Sequence, residues 1–108
     1  MSSIRNIVKK KLRRLKLDET TIKYISNSVQ YCADKNIHPM DICLNGNIYP
    51  MLSKKYNKSY DCIETHIRRD ILKAWKETDP FIWKEELNYN ERPTVKRIIA
   101  LLLEQFDY

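Results

Sequence analysis

Apolar residues in this chain recur three and four positions apart, and no stretch alternates apolar with polar over the length of a strand. Ile4, Val8, Leu12 and Leu15 make the first stripe. They predict a basic first helix over 3–16, whose other faces carry Arg5, Lys9, Lys10, Lys11, Arg13, Arg14 and Lys16. Ile22, Ile25, Val29 and then Cys32 or Ala33 predict a second helix. It should begin after Thr20 or Thr21, since either hydroxyl can accept from an orphan amide. Pro39 suits the first turn of a short third helix reaching position 44, and Asn45, Gly46 and Asn47 give the clearest turn signal. Pro50 opens a helix to about Tyr56, with Leu52 and Tyr56 on one face, and a long helix follows over 59–75. Asp79 and Pro80 read as cap and first-turn proline of another helix over 81–87. Arg92, Pro93 and Thr94 start the last helix, over 93–106, with Ile98, Ile99, Leu102, Leu103 and Phe106 on its apolar face. The expectation is an all-α fold, a compact bundle of about six to seven helices containing a helix-turn-helix.

Composition narrows what such a bundle can do. The 108 residues fit one domain, and 20 Lys and Arg against 14 Asp and Glu leave a net charge of +6. A basic balance on a small body favours an anionic partner, nucleic acid or an acidic membrane surface. The single glycine, Gly46, excludes the glycine-rich loops through which backbone amides cradle phosphates, so no nucleotide cofactor is expected. Cys32, Cys43 and Cys62 are widely spaced and the only histidines are His38 and His66, which is no metal-binding pattern. His66 lies near Glu64 and Cys62 in sequence. Glu64, two positions from each, does not share their helix face, and no third group orients the pair, so the chain is expected not to be an enzyme. No signal peptide is visible, and the longest uncharged run, 42–53, is too short to span a bilayer. Those features predict a cytoplasmic protein without a membrane partner.

The informative stretch is 48–76. One helix ends near Tyr56, the connection Asn57, Lys58, Ser59 follows, and a second helix begins, which is the arrangement of a helix-turn-helix. Asn57 tolerates the left-handed backbone that closes a helix where glycine is absent, and Ser59 can cap the next one. Ile63, Ile67, Ile71 and Ala74 define a buried arc on the second helix. Asp61, Thr65, Arg68, Arg69 and Leu72 point away from it, with Glu64 at the margin. A major groove is read by such groups: Arg binds guanine bidentately, a carboxylate accepts from cytosine N4, and Thr meets a thymine methyl. Asp61, Glu64, Thr65, Arg68 and Arg69 are therefore the candidate base contacts. Lys54, Lys55, Lys58, Ser59 and Tyr60 are the candidate phosphate contacts. An ordinary helical hairpin with a solvated charged face fits the same pattern.

A series of residues goes further than the pattern. Tyr49 and Pro50, then Lys54, Lys55, Tyr56 and Asn57, then Ile63, Glu64, Ile67, Arg68, Ile71, Ala74 and Trp75 form one series, matched without insertion or deletion over 49–75. With Pro93, Thr94, Ile99 and Ala100, this series resembles the C-terminal DNA-binding domain of the master sporulation response regulator, the stage-zero-A family. The resemblance implies an all-helical domain whose recognition helix enters the major groove of double-stranded DNA, with the positions of Glu64 and Arg68 touching the site. Two recognition positions that are usually Arg in the family are Cys62 and Thr65 here, which puts the family's target sequence in doubt. The family also contacts the RNA polymerase sigma subunit through the region matching 79–90, where this chain diverges. No receiver domain is evident, so the expectation is a stand-alone effector without phosphorylation control.

Other features carry open readings. The basic first helix can track phosphates, serve as a solvated core helix, or lie on a membrane surface, although it lacks the Trp or Phe that anchors such helices. Trp75 and Trp83 read as core residues rather than stacking platforms, and Tyr60 suits either the DNA backbone or helix packing. Leu101, Leu102 and Leu103 offer apolar surface for a homodimer on DNA through the last helix. The reading that follows is a sequence-specific transcriptional regulator. The alternative is a protein-interaction module, with a degenerate helix-turn-helix engaging another regulator or RNA polymerase.

Overall fold

A computed structural model describes residues 4–106. Among the described residues there are six α-helices and no strand: α1 (Ile4–Arg14), α2 (Glu19–Asp34), α3 (Tyr49–Tyr56), α4 (Tyr60–Glu77), α5 (Pro80–Leu87) and α6 (Val95–Glu104).

Each helix end has a local cause. α1 stops at Arg14, two residues short of the expected boundary, because Lys16 turns left-handed at φ 64°. The Lys16 N–H then donates to the Arg13 carbonyl at 3.0 Å and the Leu17 N–H to the Leu12 carbonyl at 3.4 Å, a Schellman closure. The expected start of α2 at Thr20 or Thr21 is corrected to an earlier residue. Its cap is Asp18, whose carboxylate accepts the Thr21 N–H at 2.8 Å, while Thr21 itself is buried in the first turn. A carboxylate is at least as good a cap as a threonine hydroxyl and also complements the helix dipole. The expected helix from Pro39 to position 44 shrinks to a 3-10 turn, Pro39–Asp41, because Ile42 returns to extended backbone at φ −66° and ψ 124°. In place of a simple turn at Asn45, Gly46 and Asn47 the chain makes a π-helical turn, Leu44–Ile48. The Asn47 side chain accepts the Cys43 N–H at 3.2 Å, and a Cβ at Gly46 would fall 2.8 Å from the Cys43 sulfur, so the glycine is needed for close approach.

The long helix α2 is the axis of the core, packed against α1, α3, α4 and α6. Ile25, Val29, Leu52, Ile63, Ile67, Trp83, Ile98 and Leu102 are buried within a single apolar cluster. Trp83 is fully enclosed and meets half-buried Trp75 edge to face at 5.3 Å between ring centres. α6 is shorter than expected, and Phe106 lies beyond its end. Leu102 and Leu103 are both buried and Leu101 is half-buried. Of the three leucines on which a homodimer through the last helix was expected, only Leu101 keeps apolar surface outside the core of the monomer.

The basic α1 behaves as a core helix with Val8 and Leu12 buried. Three of its cations are neutralised within the molecule. Lys11 Nζ lies 3.5 Å from the nearly buried carboxylate of Glu86 on α5. Arg14 pairs with Glu86 and, at 3.1 Å, with Glu85. Arg13 pairs with Glu19 at 3.4 Å.

Candidate nucleic-acid interface

The connection between α3 and α4 is built as a helix-turn-helix requires. Asn57 adopts φ 53° and ψ 49°, and its N–H returns to the Ser53 carbonyl at 2.9 Å. Ser59 then accepts the Cys62 N–H at 3.1 Å and starts α4. Ile63, Ile67, Ile71 and Ala74 are each at most 3% exposed, so this face of α4 is fully committed to the core. The opposite face is a ridge: Asp61, Arg68, Arg69 and Leu72 are exposed, and Glu64 and Thr65 are half-buried on its flanks.

The candidate residues fall into four neighbourhoods. Glu64, Thr65, Arg68 and Arg69 line a groove of about 640 Å³ between α4 and the start of α6, together with Arg92 and Lys96. On the other flank of the ridge, Ser59, Asp61, Thr65 and Arg69 line a groove of about 670 Å³ with Lys16, Asp70 and Lys73. Lys54 and Lys55 belong to neither; they border a hollow with Arg5 and Lys35, where α3 meets the ends of α1 and α2. Lys58 and Tyr60 are exposed at the head of α4, with the Tyr60 ring 6.1 Å from that of Tyr49. Among the described residues, Arg68, Arg69, Lys54, Lys55 and Lys58 have no ion-pair partner, unlike Lys11, Arg13 and Arg14 of α1.

Two contacts that local sequence could not signal hold α4 in place. Glu64 accepts a hydrogen bond from the Tyr49 hydroxyl at 3.4 Å. Burial first, and the neighbouring carboxylate second, push the Tyr49 phenol well above its ordinary pKa, so it remains a donor. On the opposite flank the His66 Nε2 lies 3.1 and 3.0 Å from the two carboxylate oxygens of Asp18. The Asp18 N–H in turn donates to Asp70 at 2.8 Å. The imidazole also meets Tyr24 edge to face at 6.1 Å. His66 is thus a bracket between α4 and the α1–α2 turn. Asp18, His66 and Asp70, with Arg92 and Lys96, are the residues of this region that sequence reasoning missed. The partners of the first three are 48 and 52 residues apart, so periodicity carries no trace of them.

A family profile, described as sporulation initiation factor Spo0A C terminal, matches residues 8–106. The chain belongs to that family. The match extends the likeness read over 49–75 to nearly the whole chain and makes the helix-turn-helix part of the DNA-binding effector domain of a sporulation regulator. This is a transcription-factor family and not an enzyme family. No curated protein and no solved structure matches the chain. Among the described residues no helix is long and apolar enough to cross a membrane.

Proposed function

We propose that this chain is a sequence-specific transcriptional regulator that seats α4 in the major groove of duplex DNA in the cytoplasm. Asp61, Glu64, Thr65, Arg68 and Arg69 meet base edges, and Lys54, Lys55, Lys58, Ser59 and Tyr60 meet phosphates. The observation that carries the reading is the ridge on α4. Two guanidiniums without an internal partner stand on a helix whose other face is completely buried, inside a family of DNA-binding effector domains. Unpaired arginines on a rigid helix are the commonest readers of guanine. Cys62 and Thr65 stand where the family usually has arginine at two recognition positions, so the family's target sequence is not carried over to this chain.

Selection of fragmented genomic DNA on the purified protein, followed by sequencing, tests the proposal. A recurrent motif that binds more tightly than scrambled duplex supports it, and recovery without any shared motif overturns sequence-specific binding. One observation favours a protein contact elsewhere on the same molecule: Phe81, 66% exposed on the first turn of α5, lies in the region through which the family touches the polymerase sigma subunit.

A further inference from the structure

The major groove of B-DNA is about 12 Å wide, and an α-helix with its side chains is about 10–12 Å across. A helix seated there has a sugar-phosphate chain running along each flank. The two flanks of α4 differ in charge. The groove between α4 and the start of α6 is bordered by four cations, Arg68, Arg69, Arg92 and Lys96, against one acid, Glu64. The groove on the other flank sets Lys16, Arg69 and Lys73 against Asp18, Asp61, Asp70 and Glu77 and has no positive surplus.

Resting on the DNA-binding reading above, we propose that Arg92 and Lys96 form a second grip on the duplex, taking phosphates of the strand that runs between α4 and the start of α6. Both side chains are exposed, and neither has an ion-pair partner among the described residues. Arg97, the next cation along, is instead over the Tyr89 ring at 5.9 Å. The segment carrying the two cations is held before any ligand arrives. Pro93 and Val95 are buried, and Thr94 caps α6 by accepting the Arg97 N–H at 3.2 Å. The exposed Arg92 and Lys96 thus alternate with buried anchors, so the backbone that spaces them is already ordered before binding. Arg68 and Arg69 line the same groove, so a strand that passes the recognition ridge enters it directly. Lys54 and Lys55 border a different hollow and do not substitute for this grip.

The test compares Arg92→Gln, Lys96→Gln and the double variant with Lys84→Gln, which removes one exposed charge from α5. Affinity for the selected duplex and for a scrambled one is measured by fluorescence anisotropy across a series of salt concentrations, after circular dichroism shows each variant helical. Each lost phosphate contact lowers the slope of log K against log salt by about 0.9, so the double variant loses about 1.8 on both duplexes. Lys84→Gln keeps the wild-type slope. A wild type that binds DNA while the double variant keeps its slope overturns the grip alone; the groove is then a candidate for an acidic protein segment. A slope change in Lys84→Gln equal to that of the single variants reduces the effect to net charge and overturns the grip as well. A wild type without affinity for any duplex overturns the proposed function and this inference together.

Discussion

The Nε2 nitrogen of His66 lies 3.0 Å from the Oδ2 atom of Asp18, joining the middle of α4 to the residue that caps α2. One carboxylate therefore does two things. It accepts the Thr21 N–H at 2.8 Å to start α2, and it holds α4 at a set position against that helix. Asp70 completes the bracket by accepting the Asp18 N–H, so rotation of α4 about its axis would break both the His66–Asp18 and the Asp18–Asp70 contacts.

Stability should depend on the charge of Asp18. Burial raises the carboxyl's pKa, but the hydrogen bonds from Thr21 and His66, with the field of the imidazole, outweigh burial and leave it below the usual value. A depressed folded-state pKa contributes stability that is present above about pH 4 and lost as pH falls through the folded value. Asp18→Asn keeps a capping oxygen and removes the charge. Its urea midpoint should lie below wild type at pH 7, and the gap should close toward pH 3. Equal midpoints at pH 7 would show that the bracket contributes nothing to stability.

Specificity should concentrate at Arg68. If its guanidinium grips a base edge, Arg68→Ala costs ~1–3 kcal/mol on the preferred duplex and less on scrambled DNA. Arg68→Lys should recover little, because an ammonium lacks the planar fork. Anisotropy titrations on both duplexes separate the cases; equal losses would make Arg68 a phosphate contact.

Lys16 is strained where glycine would not be. The other three left-handed residues among those described, Asn36, Asn57 and Asn88, are of the type that best tolerates this backbone after glycine, but a lysine at φ 64° gains no such relief. Lys16→Gly should stabilise the fold by about 1 kcal/mol, since C′ positions of this kind favour glycine. Thermal and urea melts measure the gain, and a loss of stability would mean that the lysine stem packs usefully against its surroundings.

The three thiols should divide two to one. Cys43 and Cys62 are exposed, whereas Cys32 is fully buried in α2 and its thiol is pushed up to about 11 by burial. Since the thiolate is the reactive form, a disulfide reagent should titrate two groups in the native protein and a third only on unfolding. Prompt reaction of all three would indicate that α2 opens locally.

What the sequence made legible was what repeats locally. The spacing of Ile63, Ile67, Ile71 and Ala74 located the buried face of α4. Asn57, Ser59, Asp79 and Thr94 marked helix ends through the backbone chemistry of single residues. Where two neighbouring residues competed for the same role the reading failed: Asp18 took the cap assigned to Thr20 or Thr21, and Pro39 started a turn that Ile42 ended. The site was legible as a set of exposed residues but not as an arrangement. Tyr49 engaging Glu64, His66 engaging Asp18, and Arg92 and Lys96 sharing a groove with Arg68 all depend on how separate helices pack. Cations present a similar difficulty. Lys11, Arg13 and Arg14 look as available in sequence as Arg68 and Arg69, yet acids from α5 and the start of α2 neutralise them.

The bracket on α4 has a calorimetric consequence. A helix that is capped, buried on one face and bracketed to α2, as α4 is, does not need to fold in order to meet DNA in the proposed way. Association should then show the heat-capacity change of the contact surface alone, without the larger negative value that coupled folding adds. Loosening the bracket with Asp18→Ala should make that heat-capacity change more negative while adding no contact to the duplex. The same protein would then pay an ordering entropy that the intact bracket has already met during folding.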